Sequence, residues 1–297
     1  MRVLLAVDGS PHSQHAAEAL RQLSSVKSLT VVHVVNLPRL AYPALGPDIT
    51  QDLAMVIEQA MREEGEQILK QAMSHLSYHN APISKRLELG SPADRILAIA
   101  EEEGSDLILI GARGLGQVQE LIFGSVSHRV LTHAPCSVCI VKSPIAPLRE
   151  ILVPLQGEGD ERAAIAFFAK HPFKGTSQIT VFNVVPIPRS IFRAGVSASE
   201  TKIQQALESA ETFTDHVVAE LQKLRYSATG RVGMGAPAET ILEQEATTNP
   251  DLIVMGTHNP STLSRFVLGS VSHTVLHRST HSVLLIRPTG KENTGTI

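Results

Sequence analysis

An α/β architecture of two tandem domains, each a five-stranded parallel sheet with helices on both faces, follows from two features of the 297-residue sequence. Long stretches recur at a nearly fixed offset, so one unit is written twice. Within each unit, short β-branched apolar runs alternate with helical stretches. Each alternation needs a crossover, which makes neighbouring strands parallel and places helices on both sheet faces.

The repeat is clearest toward the end of each unit. Phe123-Gly-Ser-Val-Ser-His-Arg-Val-Leu131 returns as Leu268-Gly-Ser-Val-Ser-His-Thr-Val-Leu276, seven identities in nine at an offset of 145. Leu89-Gly-Ser-Pro-Ala-Asp-Arg-Ile-Leu97 returns as Met234-Gly-Ala-Pro-Ala-Glu-Thr-Ile-Leu242 at the same offset, and Thr30–Val35 pairs with Thr180–Val185 at 150. A period of that length is a duplicated domain, not a solenoid. The expected boundaries are 1–143 and 149–289, with Ser143–Pro147 as linker and 290–297 as a polar, frayed tail.

In the first unit, Val3–Val7 is too short for a helix and reads as a strand. Ser10 can cap, and Pro11 can open, a helix through about Leu23. Leu29–Val35 is apolar except for His33, as a strand buried on both faces should be; His33 is expected to be hydrogen-bonded there. Leu53, Val56, Ala60, Ile68, Met73 and Leu76 recur at helical spacing from Asp48 to about Leu76. Ile83–Leu89 is the third strand, and Ser91-Pro92-Ala93-Asp94 starts the next helix with a side-chain cap. Leu107–Ile110, a helix opening at Gly124-Ser125, and Val138–Val141 complete the unit.

Composition excludes several functions. Lys+Arg number 26 and Asp+Glu 29, a net charge of −3, so no cationic excess exists to bind nucleic acid. No run approaches the roughly 18 apolar residues of a membrane span. Five apolar residues before Asp8 are too few for a signal-peptide core. Two cysteines suggest a reduced, cytoplasmic setting. Cys136-x-x-Cys139 falls at the last strand, where residues three apart face opposite ways, which is wrong for a disulfide or a shared metal. The thirteen histidines form no sequence motif for a metal, and His128 and His273 read as surface residues.

Ligands of parallel α/β sheets sit beyond the carboxyl ends of the strands, at the switch point. There the fourth strand is followed by Gly111-Ala-Arg-Gly114 and then by Gly124-Ser125 at a helix start. Glycines allow close backbone approach, and a helix N-terminus suits phosphate. Ser125 and Ser127 are expected to add hydroxyl donors. Asp8 could accept from a ribose or base edges, and Val34 could wall a purine.

On these residues the chain resembles a tandem universal stress protein over essentially its full length. The resemblance rests on Leu5-Ala6-Val7-Asp8-Gly9-Ser10, on Gly-x2-Gly-x9-Gly-Ser at Gly111, Gly114, Gly124 and Ser125, and on the run from Gly124 to Val138. It implies a Rossmann-like, adenine nucleotide alpha-hydrolase-like fold. It implies ATP, with Mg2+, in the first domain: Asp8 and Val34 around adenine and ribose, Ile110 and Gly111 beside the nucleotide, and Gly114, Gly124, Ser125 and Val126 around the phosphates. Last strands paired across a pseudo-dimer, Val138–Val141 with Val283–Ile286, and a homodimer of chains are implied as well. The second domain keeps Gly256 and Gly269-Ser270-Val271 but has Gln156 in place of the acid and Asn259-Pro260 in place of the middle glycine. One competent site per chain is therefore expected.

The functional expectation is a nucleotide-dependent stress regulator with an unidentified protein partner. In it ATP orders the loops Pro38–Pro47 and Gly111–Phe123. A slow ATPase or autophosphorylating enzyme, and a nucleotide-free scaffold, are the alternatives. No P-loop lysine and no paired magnesium carboxylates occur, which argues against efficient turnover.

Overall fold

The computed structural model describes residues 1–37, 47–74, 76, 81–114, 124–145, 147–187, 200–257 and 268–287. The first half runs β1 (Arg2–Ala6), α1 (Pro11–Ala19), β2 (Ser28–Val35), α2 (Pro47–Ser74), β3 (Ile83–Leu89), α3 (Pro92–Glu102), β4 (Leu107–Gly111), α4 (Ser125–His133) and β5 (Ser137–Val141). The second half repeats it as β6 (Glu150–Leu155), α5 (Glu158–Phe168), β7 (Gln178–Pro186), α6 (Glu200–Lys223), β8 (Ser227–Gly235), α7 (Pro237–Thr248), β9 (Leu252–Gly256), α8 (Ser270–Arg278) and β10 (Ser282–Ile286). The loop residues 38–46 and 115–123, Asn259-Pro260 and the tail 290–297 lie outside the described residues.

Local chemistry explains the helix starts. The Ser10 hydroxyl accepts from the Ser13 N–H at 3.2 Å, closing the expected cap, and Pro11 follows it. Ser91 stands at the N-cap of α3, but its hydroxyl makes no capping bond, contrary to expectation. Proline at the first position fixes that start without it. After Ala19 the first helix tightens into a single 3-10 turn, Leu20–Gln22.

Within each half every strand pair is parallel, in the orders β3-β2-β1-β4-β5 and β8-β7-β6-β9-β10. The halves join edge to edge, with β5 and β10 antiparallel and Cys139 opposite Leu284. One ten-stranded sheet results. Its two larger cores run across the seam. On one face β-strands bury against α1, α2, α5 and α6 through residues such as Ala16, Leu69, Phe168 and Val217. On the other they bury against α3, α4, α7 and α8 through Ile99, Leu131, Ile241 and Leu276.

The seam is locked twice by related contacts. The Lys142 backbone N–H donates to Ser282 Oγ, and the Arg287 backbone N–H donates to Ser137 Oγ, each at 3.1 Å. Lys142 Nζ donates to the carbonyls of Leu276 and Ser279, both at 2.6 Å. Arg287 Nη2 donates to the carbonyls of Leu131 and Thr132 at 2.7 and 3.3 Å. Each half thus ends in a cation that satisfies the carbonyl end of the other half's last helix, where the helix dipole favours positive charge. Burial pushes Lys142 down to about 8. Cys136 and Cys139 are free, buried and on opposite sheet faces, and burial pushes both thiols up to about 12.

Candidate functional site

β1 and β4 are neighbours, yet the chain leaves β1 toward β2 and β3 on one side and resumes with β4 and β5 on the other. At that switch point a cavity of about 370 Å³ opens at the strand carboxyl ends. Such a volume suits a small-molecule ligand. Asp8, Val34, Ile110, Gly111, Gly114, Gly124, Ser125 and Val126 all line it. Val32, Val34, Ile96, Ile110 and Val126 form an apolar wall, and Asp8, Arg113 and Ser125 give the other end polar character.

The polar end is built by short-range bonds. Asp8 Oδ1 accepts from the Ser10 N–H at 3.0 Å, across Gly9 at φ +80°. Ser10 Oγ donates to the Arg113 carbonyl at 3.1 Å, tying the loop after β1 to the loop after β4. His33 Nδ1 meets the Val7 carbonyl at 2.8 Å, as a histidine in a buried strand must. On α1, His12 is held below its ordinary pKa by burial and by the adjacent Arg113.

Each glycine has its own reason. A Cβ on Gly114 would run into the Asp8 carboxylate. A Cβ on Gly111 would lie 2.7 Å from the His12 carbonyl carbon and 2.8 Å from the Ser13 nitrogen, so this glycine lets α1 pack on β4. The Gly124 N–H donates to the Ala112 carbonyl at 2.9 Å. No side chain caps α4, which leaves its first-turn N–H groups for water or a ligand. The expectation for Ser127 is corrected. Its buried hydroxyl donates to the Gly111 carbonyl at 2.7 Å and pins the helix to the strand end, as Ser272 does to Gly256 at 3.1 Å.

The second half has a related cavity of about 280 Å³, in which Gln156 stands in the place of Asp8. Phe182 takes the place of Val32, and Asp160 enters the lining. The Asp160 carboxylate accepts from the Gln156 N–H at 3.0 Å and lies against Gly256. The Phe182 ring takes up room on the apolar wall, and the acid beside the strand-end glycine disfavours a polyanion. Phe182 is readable from the aligned repeat; Asp160 is not, because its effect depends on where the first turn of α5 points.

The sequence matches the model of the Universal stress protein family twice, over residues 1–142 and 147–287. A universal stress protein of Mycobacterium tuberculosis is 26% identical over 308 aligned residues, covering 96% of both chains. One from Thermus aquaticus is 35% identical over 143 residues, which is 47% of this chain and 97% of that protein. The crystal structure of a universal stress protein from Archaeoglobus fulgidus superposes with a TM-score of 0.64 at 20% identity, covering 96% of each chain.

Proposed function

The chain belongs to the universal stress protein family, and we propose that its first half binds one ATP, carried with Mg2+, in the cavity at the β1–β4 switch point. In this reading the cytoplasmic protein uses the nucleotide as a ligand signal in a stress response. The observation that carries it is the convergence of Asp8, an apolar wall and the uncapped α4 N-terminus on one cavity. The wall suits a purine, the carboxylate suits ribose hydroxyl donors, and the helix N-terminus with Arg113 suits phosphates. Asp8 is the one carboxylate among the described lining residues, so Mg2+ would ride on the phosphates and not on a built carboxylate pair. That lining also lacks a lysine clamp, which favours sensing over turnover. Homodimerisation and transfer of the nucleotide state to a protein partner belong to the same proposal.

The test is to denature freshly purified protein, identify released nucleotide chromatographically, and titrate emptied protein with ATP and Mg2+. About one ATP per chain is expected. Asp8→Asn keeps the acceptor for the Ser10 N–H but loses the charge. It should weaken binding roughly ten- to 150-fold, from about 1.5–3 kcal/mol for a charged hydrogen bond. Two equivalent sites, or no binding, would overturn the reading. Light scattering with and without ATP tests the dimer.

A further inference from the structure

Three imidazoles meet where the last helices of the two halves pack together. His128 comes from α4, and His273 and His277 from α8. Ring centroids are 6.1 Å apart for His128–His273, 5.8 Å for His128–His277 and 4.4 Å for His273–His277. One ring nitrogen from each lies within 4.8 Å of the other two. The α8 pair is spaced i, i+4, so both rings project from one helical face, the spacing by which a helix offers two ligands to one ion.

We propose that His128, His273 and His277 form a site for a divalent transition-metal ion of the zinc class, bridging the two halves of the chain. Zn–N bonds of about 2.0–2.1 Å at tetrahedral angles set nitrogens roughly 3.3 Å apart. Small rotations of the side chains bring the three together, and His128 and His273 are exposed and have room to turn. Imidazole suits zinc, copper and nickel, and the set contains no carboxylate to favour calcium or magnesium. Burial and the neighbouring His273 and His128 hold His277 below its ordinary pKa. Lys142 also faces His277, with its amine turned to the carbonyls of Leu276 and Ser279. Three protein ligands leave a fourth position for water or an exchangeable anion.

The repeat shows why sequence spacing hides this site. His128 and His273 are counterparts, but the counterpart of His277 is Thr132. The set therefore exists once per chain, and only after the two halves dock.

The experiment uses the full chain stripped with EDTA and no nucleotide, so its outcome is independent of ATP binding. Zn2+ is titrated by calorimetry, and Co2+ by its visible ligand-field spectrum. One ion per chain is expected, together with a higher melting temperature in Zn2+. His128→Gln, and separately His273→Gln with His277→Gln, should weaken binding by more than the roughly 10–100-fold that loss of an outer-shell partner costs. They should also abolish the thermal shift and alter the Co2+ spectrum. His216→Gln, on a distant helix, should change none of these. Circular dichroism of each variant without metal checks the fold. Unchanged Zn2+ affinity in His128→Gln would overturn the bridging site, and absence of saturable Zn2+ binding in the wild type would overturn the site altogether.

Discussion

A single methyl group at Gly111 tests whether this glycine serves the ligand or the fold. On the existing backbone, its carbon would sit 2.7 Å from the His12 carbonyl carbon, 2.8 Å from His12 Cβ and 2.8 Å from the Ser13 nitrogen. Two of those three are backbone atoms at the start of α1, so no side chain can rotate to make room. Moving α1 away strains the Ser10 Oγ bond to the Arg113 carbonyl, which ties the helix start to the loop after β4. Overpacking of this kind costs about 1–3 kcal/mol. At about 2–4 °C per kcal/mol for a cooperative unit of 150–250 residues, Gly111→Ala should lower the melting temperature by roughly 2–12 °C. Gly124→Ala is the control. Its nearest neighbour is the Ala112 carbonyl oxygen at 3.3 Å, and its φ of −75° and ψ of 149° suit alanine. It should cost no more than about 1 kcal/mol, the usual effect of a poor N-cap residue. Thermal and urea unfolding without nucleotide measure both. If Gly111→Ala melts with the wild type, or Gly124→Ala falls further, close packing on α1 is not what this position requires.

Other consequences are equally direct. Lys142 drops from 10.5 to about 8 on folding, so the unfolded chain binds more protons between those values and stability attributable to this residue rises with pH across that window. Relative to Lys142→Met, the wild type should gain on the order of 3 kcal/mol from pH 8 to 10.5. Urea unfolding at each pH reads the difference, and a flat difference refutes it. Cys136 and Cys139, buried with thiols pushed up to about 12, should resist alkylation at pH 8 until urea unfolds the chain. Rapid labelling of native protein, followed by mass spectrometry, would contradict that. Glu245, 4% exposed, accepts from the Ser279 hydroxyl at 2.8 Å, the Thr280 N–H at 3.0 Å and the His281 N–H at 3.3 Å. Glu245→Ala strands those donors and should cost roughly 3 kcal/mol in chemical unfolding; a loss under about 1 kcal/mol would mean water replaces the carboxylate.

The sequence made the strands and their parallel order legible because apolar runs such as Leu29–Val35 and Leu107–Ile110 are bounded by helix-start chemistry that acts locally. The eight residues expected around a nucleotide also line one cavity, because strand ends at a switch point converge whatever the loops do. What the sequence missed depends on contacts between distant segments. Ser127 reads as a phosphate donor until its hydroxyl is seen on the Gly111 carbonyl. Gly111 and Gly114 read as a phosphate turn until their missing side chains are seen to admit α1 and Asp8. His277 has no repeat partner and no motif, so only the docking of α8 against α4 singles it out.

The second half works as an internal control on what the first half's residues mean. It keeps the strand-end glycine, the Gly-Ser helix start, an uncapped α8, the serine pin and the seam cation. Those features therefore serve the shared architecture, and none of them alone argues for a nucleotide. What separates the halves is Asp8 against Gln156, Val32 against Phe182, and Asp160 pressed on Gly256. These differences, more than the glycines, would make the two cavities select different ligands. The element that would feel the ligand is α4, whose first turn borders the cavity. That helix carries His128 at its fourth residue, and Arg287 of the other half holds the Leu131 and Thr132 carbonyls at its end. A displacement of α4 on ligand binding cannot stay within one half. It would strain the Arg287 bonds and the histidine cluster or carry α8 with it, so a ligand in the first half would be felt in the second through the seam.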